Sequence, residues 1–224
     1  MLQTYTQYHI KDKSKTKNNV YIIADHKTRK AAVVDPATSR DEVNELIKRF
    51  DLTLNAVLVT HTHPDHIGSV GDLVKQHNCD VYVSKKEASY YNYYCQNMHF
   101  FEDQELIHLG DTIIKCLLTP GHTAGSACFL LQNSLFSGDT IFIEGCGICT
   151  ERGGSAVEMF HSVVKVKRQV SDSILVYPGH TYAAEPGQSI AYLKKNNIYF
   201  NIDDEKFFVD FRMRKNQTNL FDFQ

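Results

Sequence analysis

The chain has 224 residues, 42% hydrophobic and 22% charged, with a formal net charge of −2. That length suits one large domain with a full core. The charge balance excludes a global drive toward nucleic acid or anionic membrane, and no apolar run approaches the ~20 residues of a membrane span.

The first ten residues lack a basic start followed by an apolar core, so no secretory signal is read. Residues 4–9 alternate loosely like a strand. Lys11, Lys13, Lys15 and Lys17 form a basic run that reads as a solvated hairpin turn. Residues 20–24 and 31–34 are two short strands. Residues 41–50 read as a helix, with Val43, Leu46, Ile47 and Phe50 on one face and Ser39 placed to cap its start.

Residues 55–60 read as a buried strand, and Thr60-His61-Thr62-His63-Pro64-Asp65-His66 follows directly. Three imidazoles and a carboxylate within so few residues are ligand types for a divalent transition metal. Their position at a strand end is where open α/β sheets place active sites.

A helix then runs from Gly68 to about His77, followed by a strand over 80–84 and a tyrosine-rich helical pattern over 85–96. Residues 112–118, 126–131 and 134–137 are strands. Residues 155–170 form an amphipathic helix with Met159, Val163, Val166 and Val170 on one face. A strand over 174–177 and a helix over 187–195 follow. Six cysteines (79, 95, 116, 128, 146 and 149), several in apolar runs, read as buried thiols, and a cytoplasmic location is expected.

Three more loops carry ligand chemistry after strands: Pro120-Gly121-His122, Ser137-Gly138-Asp139 and Pro178-Gly179-His180. Each sets its ligand residue beside a glycine, where the backbone turns sharply. A single histidine or aspartate in a loop is ordinarily structural. Four such loops after four strands form a joint signal. Five histidines and two aspartates exceed the four ligands of one tetrahedral ion. They suit two metals ~3.5–4 Å apart. The other six histidines (9, 26, 77, 99, 108 and 161) lack this context.

The ordered set His-x-His-x-Asp-His, Gly-His, Ser-Gly-Asp, Gly-His resembles the metallo-β-lactamase superfamily. The resemblance implies an α/β fold, an αββα sandwich of two mixed sheets flanked by helices. It implies one domain over residues 1–224, with 197–224 a tail packed on the sandwich. It also implies two Zn2+ ions, with iron or manganese left open. His61, His63 and His122 would hold one ion, Asp65, His66 and His180 the other, and Asp139 would bridge them. Asp65 and Asp139 are the catalytic candidates.

Gly145-Cys146-Gly147-Ile148 and Tyr182, two residues beyond His180, are similar to the glyoxalase II branch, which hydrolyses thioesters. They mark Cys146, Ile148 and Tyr182 as substrate-binding candidates. Ile148 stands where that branch has a basic residue for glutathione, which argues against glutathione as the thiol carrier. The aromatic and basic ending resembles the small zinc-dependent hydrolases of bacterial trans-acyltransferase polyketide clusters. That resemblance implies an acyl carrier protein, or a small acyl thioester, as partner. Arg212, Arg214 and Lys215, with Lys194 and Lys195 nearby in sequence, are either solvated charge or cations for an acidic carrier. The competing readings are a hydroxyacylglutathione hydrolase and an iron persulfide dioxygenase. Cys146 and Cys149 also form a Cys-x-x-Cys, but no second cysteine pair completes a four-thiolate site.

Overall fold

Alternate residues of the short apolar runs face opposite ways, and both faces are buried. In the computed structural model, which describes residues 3–11 and 17–215, this produces two six-stranded sheets. The first holds, in order, β1 (Tyr5–Lys11), β2 (Asn19–Asp25), β3 (Lys30–Val34), β4 (Thr53–Leu58), β5 (Asp80–Ser84) and β6 (Met98–Phe101). β1 to β3 are antiparallel, and β3 to β6 are parallel. The second holds β12 (Gln188–Ser189), β11 (Leu175–Pro178), β10 (Ser134–Gly138), β9 (Ala127–Leu130), β8 (Thr112–Leu118) and β7 (Leu106–Leu109). Among the described residues its only parallel pair is β10 with β11.

The helices are α1 (Arg40–Arg49), α2 (Pro64–Ile67), α3 (Val70–His77), α4 (Lys85–Tyr91), α5 (Ala156–Gln169), α6 (Ile190–Asn196) and α7 (Glu205–Arg212). Ile23, Val34 and Leu58 meet Ile114, Phe129 and Phe136 between the sheets. Ile22, Val33 and Val57 face the other way, onto Val43 and Ile47 of α1 and Leu73 of α3. Leu135 and Val176 face Met159, Val163 and Val166 of α5, Leu193 of α6 and Phe208 of α7. Each such side chain, fully buried, contributes roughly 1.5–3 kcal/mol. The result is the expected helix–sheet–sheet–helix sandwich. No helix among the described residues is long and apolar enough to cross a membrane.

Several local expectations are corrected. The helix expected over 85–96 stops at Tyr91, because Asn92 takes a left-handed conformation with φ 54°. The helix expected over 68–77 is α3, which starts at Val70 behind Ser69, and a separate short helix, α2, precedes it within the ligand segment. The segment expected as a helix over 187–195 begins with the extended pair of β12, and the Ser189 side chain caps α6 by accepting from the Tyr192 amide. Ser39 stands at the N-cap of α1, but its side chain makes no cap bond. β6 and β7 have no counterpart in the sequence reading. Lys13 and Lys15 lie outside the described residues. Lys11 ends β1 and pairs with Glu185 at 2.6 Å.

The C-terminal stretch through Arg212 packs on α5 and α6, with Tyr199, Phe200, Ile202 and Phe208 buried. Residues 216–224 lie outside the described set. Arg212 is neither solvated nor free to meet a carrier: it is 5% exposed. Its Nε donates to the Gly147 carbonyl at 3.0 Å and an Nη donates to the Tyr199 hydroxyl at 3.0 Å. Lys194 is paired with Asp172. The expected docking patch therefore loses its central cation.

Candidate metal centre

The ends of β4, β10 and β11 meet at one edge of the sandwich with the loop after β8, β10 and β11 ending together because they pair in parallel. Bonds between the sheets close that edge. The Asn19 amide donates to Gly179 O at 2.7 Å and the Ala127 amide to Thr60 O at 2.9 Å. Two glycines make the convergence sterically feasible. Gly138 has φ +49°, and a Cβ there would lie 2.3 Å from Thr60 Oγ1. A Cβ on Gly179 would lie 2.3 Å from Asp139 Oδ1.

All seven predicted ligand residues meet at this edge, in two groups. His61, His63 and His122 place one ligand atom each within 4.8 Å of the others, as do Asp65, His66 and His180. His122 Nε2 lies 3.0 Å from His63 Nδ1, and His66 Nε2 lies 3.3 Å from His180 Nε2. Asp139 stands between the groups. Its Oδ1 is 3.5 Å from His66 Nε2, and its Oδ2 is 3.6 Å from His122 Nε2 and 3.3 Å from His180 Nε2.

Outer contacts set which ring nitrogen faces inward. His122 Nδ1 donates to the Ile148 carbonyl at 2.7 Å, leaving Nε2 with the inward lone pair. The Thr60 hydroxyl donates to Asp35 Oδ2 at 2.6 Å, so toward His61 Nδ1, 3.0 Å away, it acts as acceptor. His61 Nε2 then carries the lone pair and makes no hydrogen bond, and neither does Asp139 Oδ1. Both atoms are buried and aimed at the cluster. His66 Nδ1 meets Asp35 Oδ2 at 3.1 Å.

Asp35 and Glu87 are absent from the sequence reading, yet they organise the site. Asp35, buried at the end of β3, also accepts the Thr60 amide at 2.8 Å and so fixes the strand end that leads into His61. Glu87 is fully buried. It accepts the Thr62 amide and hydroxyl, the Thr123 hydroxyl and the Gly125 amide, at 2.8 to 2.9 Å. One carboxylate thus ties the His63 loop to the His122 loop. Asn18 donates to Asp65 Oδ2 at 3.2 Å and orients that carboxylate.

The electrostatics divide the groups. Burial, then the charge of His66, holds His61 well below the ordinary histidine range, and burial pushes His122 down to about 4. Both are neutral near pH 7 and offer lone pairs. Burial opposes charge on His66 too, but Asp139, Asp35 and Asp65 carry it up to about 9. For Asp139, burial is outweighed by His180 and His66, which hold it well below the carboxylate range. A proton on His66 and a cation beside it would answer to the same carboxylates, so a cation held here would compete with that proton.

The donor set fits metal ions. Imidazole nitrogens converge to 3.0 and 3.3 Å within the two groups, and two buried atoms, His61 Nε2 and Asp139 Oδ1, make no hydrogen bond. Each gains a partner when a divalent cation sits in its group. Asp35→Asn, which keeps the side-chain volume but weakens the acceptor behind His66, is expected to lower zinc affinity 10–100-fold. Chelator competition measures this.

The substrate candidates fall in different surroundings. The Tyr182 ring stands against Phe142 (4.9 Å between centroids) and His180 (6.0 Å). Burial, then Asp139, Asp65 and Glu144, pushes its phenol well above the ordinary range. Cys146 is 6% exposed and packs in the apolar cluster under α5, where burial raises its pKa. Ile148 is half-buried, and its carbonyl holds His122.

An αββα sandwich with a His/Asp cluster at the strand ends defines a class of metal-binding proteins. The chain belongs to the metallo-beta-lactamase superfamily, matched over residues 15–180. It is 47% identical over 207 residues, 92% of each chain, to the probable polyketide biosynthesis zinc-dependent hydrolase PksB of Bacillus subtilis (strain 168). It is 43% identical over 225 residues, the full length of both, to the probable polyketide biosynthesis zinc-dependent hydrolase BaeB of Bacillus velezensis. The crystal structure of ETHE1 from Myxococcus xanthus superposes with a TM-score of 0.86 at 30% identity, covering 96% of this chain and 92% of that one.

Proposed function

We propose that this chain is a zinc-dependent hydrolase of polyketide biosynthesis that cleaves acyl thioesters of phosphopantetheine, on an acyl carrier protein or free. The observation that carries the hydrolase reading is the convergence of seven ligand-type side chains, two of whose buried atoms, His61 Nε2 and Asp139 Oδ1, make no hydrogen bond. The names of PksB and BaeB support the biosynthetic setting. Tyr182 beside His180, and the loop through Cys146 and Ile148, support a thioester.

His61, His63 and His122 would hold one ion, Asp65, His66 and His180 a second, with Asp139 shared. When bound, such a pair polarises a carbonyl and acidifies water near neutral pH. Asp65, about one-third exposed and held by Asn18, is placed to orient the attacking water. Asp139 keeps the two groups at a fixed separation. Tyr182 offers a hydroxyl to position the substrate. A thiolate leaving group, whose acid has a pKa of ~8.5, needs no strong general acid from the chain.

The test compares carriers. Hydrolysis of an acyl group on phosphopantetheine is expected to have a higher kcat/KM than hydrolysis of lactoylglutathione, because Ile148 offers a glutathione carboxylate no charge. The opposite ranking by tenfold, about 1.4 kcal/mol, would return the protein to hydroxyacylglutathione hydrolysis.

A further inference from the structure

We propose that the C-terminal segment is a built-in clamp on the metal centre, with Arg212 its principal positioning residue. The proposal rests on the metal-centre reading above. The link is the loop over residues 142–149, which follows Asp139 and bonds to Asp139 and His122. Its Gly147 amide donates to the Asp139 backbone carbonyl at 3.0 Å, and its Ile148 carbonyl takes the His122 Nδ1 proton at 2.7 Å. The fit is tight: a Cβ on Gly147 would lie 2.1 Å from Asp139 O and 2.9 Å from His122 Nδ1.

The loop belongs to no helix or strand, apart from a bridge between Ile141 and Cys146. Its shape is therefore set by what bonds to it. The C-terminal segment supplies two buried polar side chains for this. Asn197 Nδ2 donates to Phe142 O at 3.0 Å and to Gly145 O at 2.9 Å. Arg212 Nε donates to Gly147 O at 3.0 Å. The guanidinium is itself held by the Tyr199 hydroxyl at 3.0 Å, lies 5.8 Å from the centre of that ring, and sits beside the Cys149 thiol. A charged donor on a buried carbonyl makes one of the stronger hydrogen bonds available. It fixes the Gly147–Ile148 peptide, and the next carbonyl is the one that aims His122. Displacing Arg212 thus loosens His122 from behind.

Zinc affinity, measured by chelator competition on the full chain well below the melting temperature, tests this. Arg212→Met removes the charged donor. Tyr199→Phe is gentler, removing only the hydroxyl that holds the guanidinium. Ile190→Ala is the control: Ile190 is fully buried in the same apolar cluster but supplies none of the side-chain bonds to the loop. Arg212→Met is expected to lower zinc affinity about tenfold or more and to reduce kcat with KM little changed. Tyr199→Phe should shift both in the same direction. Ile190→Ala should lower Tm while its zinc affinity stays within about twofold of wild type. If Arg212→Met does not fold, the contrast between Tyr199→Phe and Ile190→Ala decides. Zinc affinity that follows Tm across the variants, or that is unchanged in the Arg212 and Tyr199 variants, overturns the clamp. A wild-type chain that binds no zinc overturns the metal-centre reading itself, before any variant is compared.

Discussion

Asp139→Ala is expected to lower kcat for thioester hydrolysis by about a thousandfold and to leave the sandwich folded. Asp139 is the carboxylate that approaches both ligand groups, within 3.6 Å of His66, His122 and His180. No side chain at the neighbouring positions can replace it, since Gly138 precedes it and Thr140 is engaged with Thr119. Without Asp139 the two groups lose their shared anion, and repulsion between two cations is no longer offset. The backbone bonds of residue 139 survive, including the Gly147 amide to its carbonyl. Circular dichroism should therefore stay native while metal content and turnover fall together. Near-normal turnover would show that the bridge is misassigned.

Glu87→Ala is expected to produce the largest loss of stability. The carboxylate accepts four hydrogen bonds from Thr62, Thr123 and Gly125, two of them from backbone amides. Alanine leaves those two amides, Gly125's buried and Thr62's partly buried, without that acceptor, at about 1–3 kcal/mol for a fully buried one. For a domain of this size each kcal/mol lowers Tm by roughly 2–4 °C, so a fall of about 10 °C is expected in a thermal melt. Because the same carboxylate joins the His63 and His122 loops, zinc affinity should fall as well. A Tm within about 2 °C of wild type would mean that the loops are held by something else.

The first ligand segment was legible because three histidines and an aspartate crowd behind an apolar strand, and the other three loops because each carries a histidine or aspartate next to a glycine at the end of one. Asp35 carries half of that signal. It follows the apolar run 31–34, but Pro36, not a glycine, stands beside it. Glu87 carried none. In Lys85-Lys86-Glu87 it reads as the charged first turn of a surface helix, and only the tertiary fold turns it under the metal loops. Arg212 was misread although spacing could have placed it: it lies four residues after Phe208, on the same helical face, and Phe208 is fully buried. β6 and β7 were missed because each is a four-residue edge strand with a histidine exposed between apolar neighbours. The tyrosine-rich helix was overextended because Asn92, which ends it, is also a tolerable helix residue.

Metal content measured against activity tests the account most directly. Purified chain, stripped by chelator and titrated with Zn2+, should recover thioester hydrolysis in proportion to loading and saturate at two ions per chain. Full activity at a stable stoichiometry of one ion, or hydrolysis that persists in the stripped chain, would contradict a centre built from His61, His63, His122, Asp139, Asp65, His66 and His180.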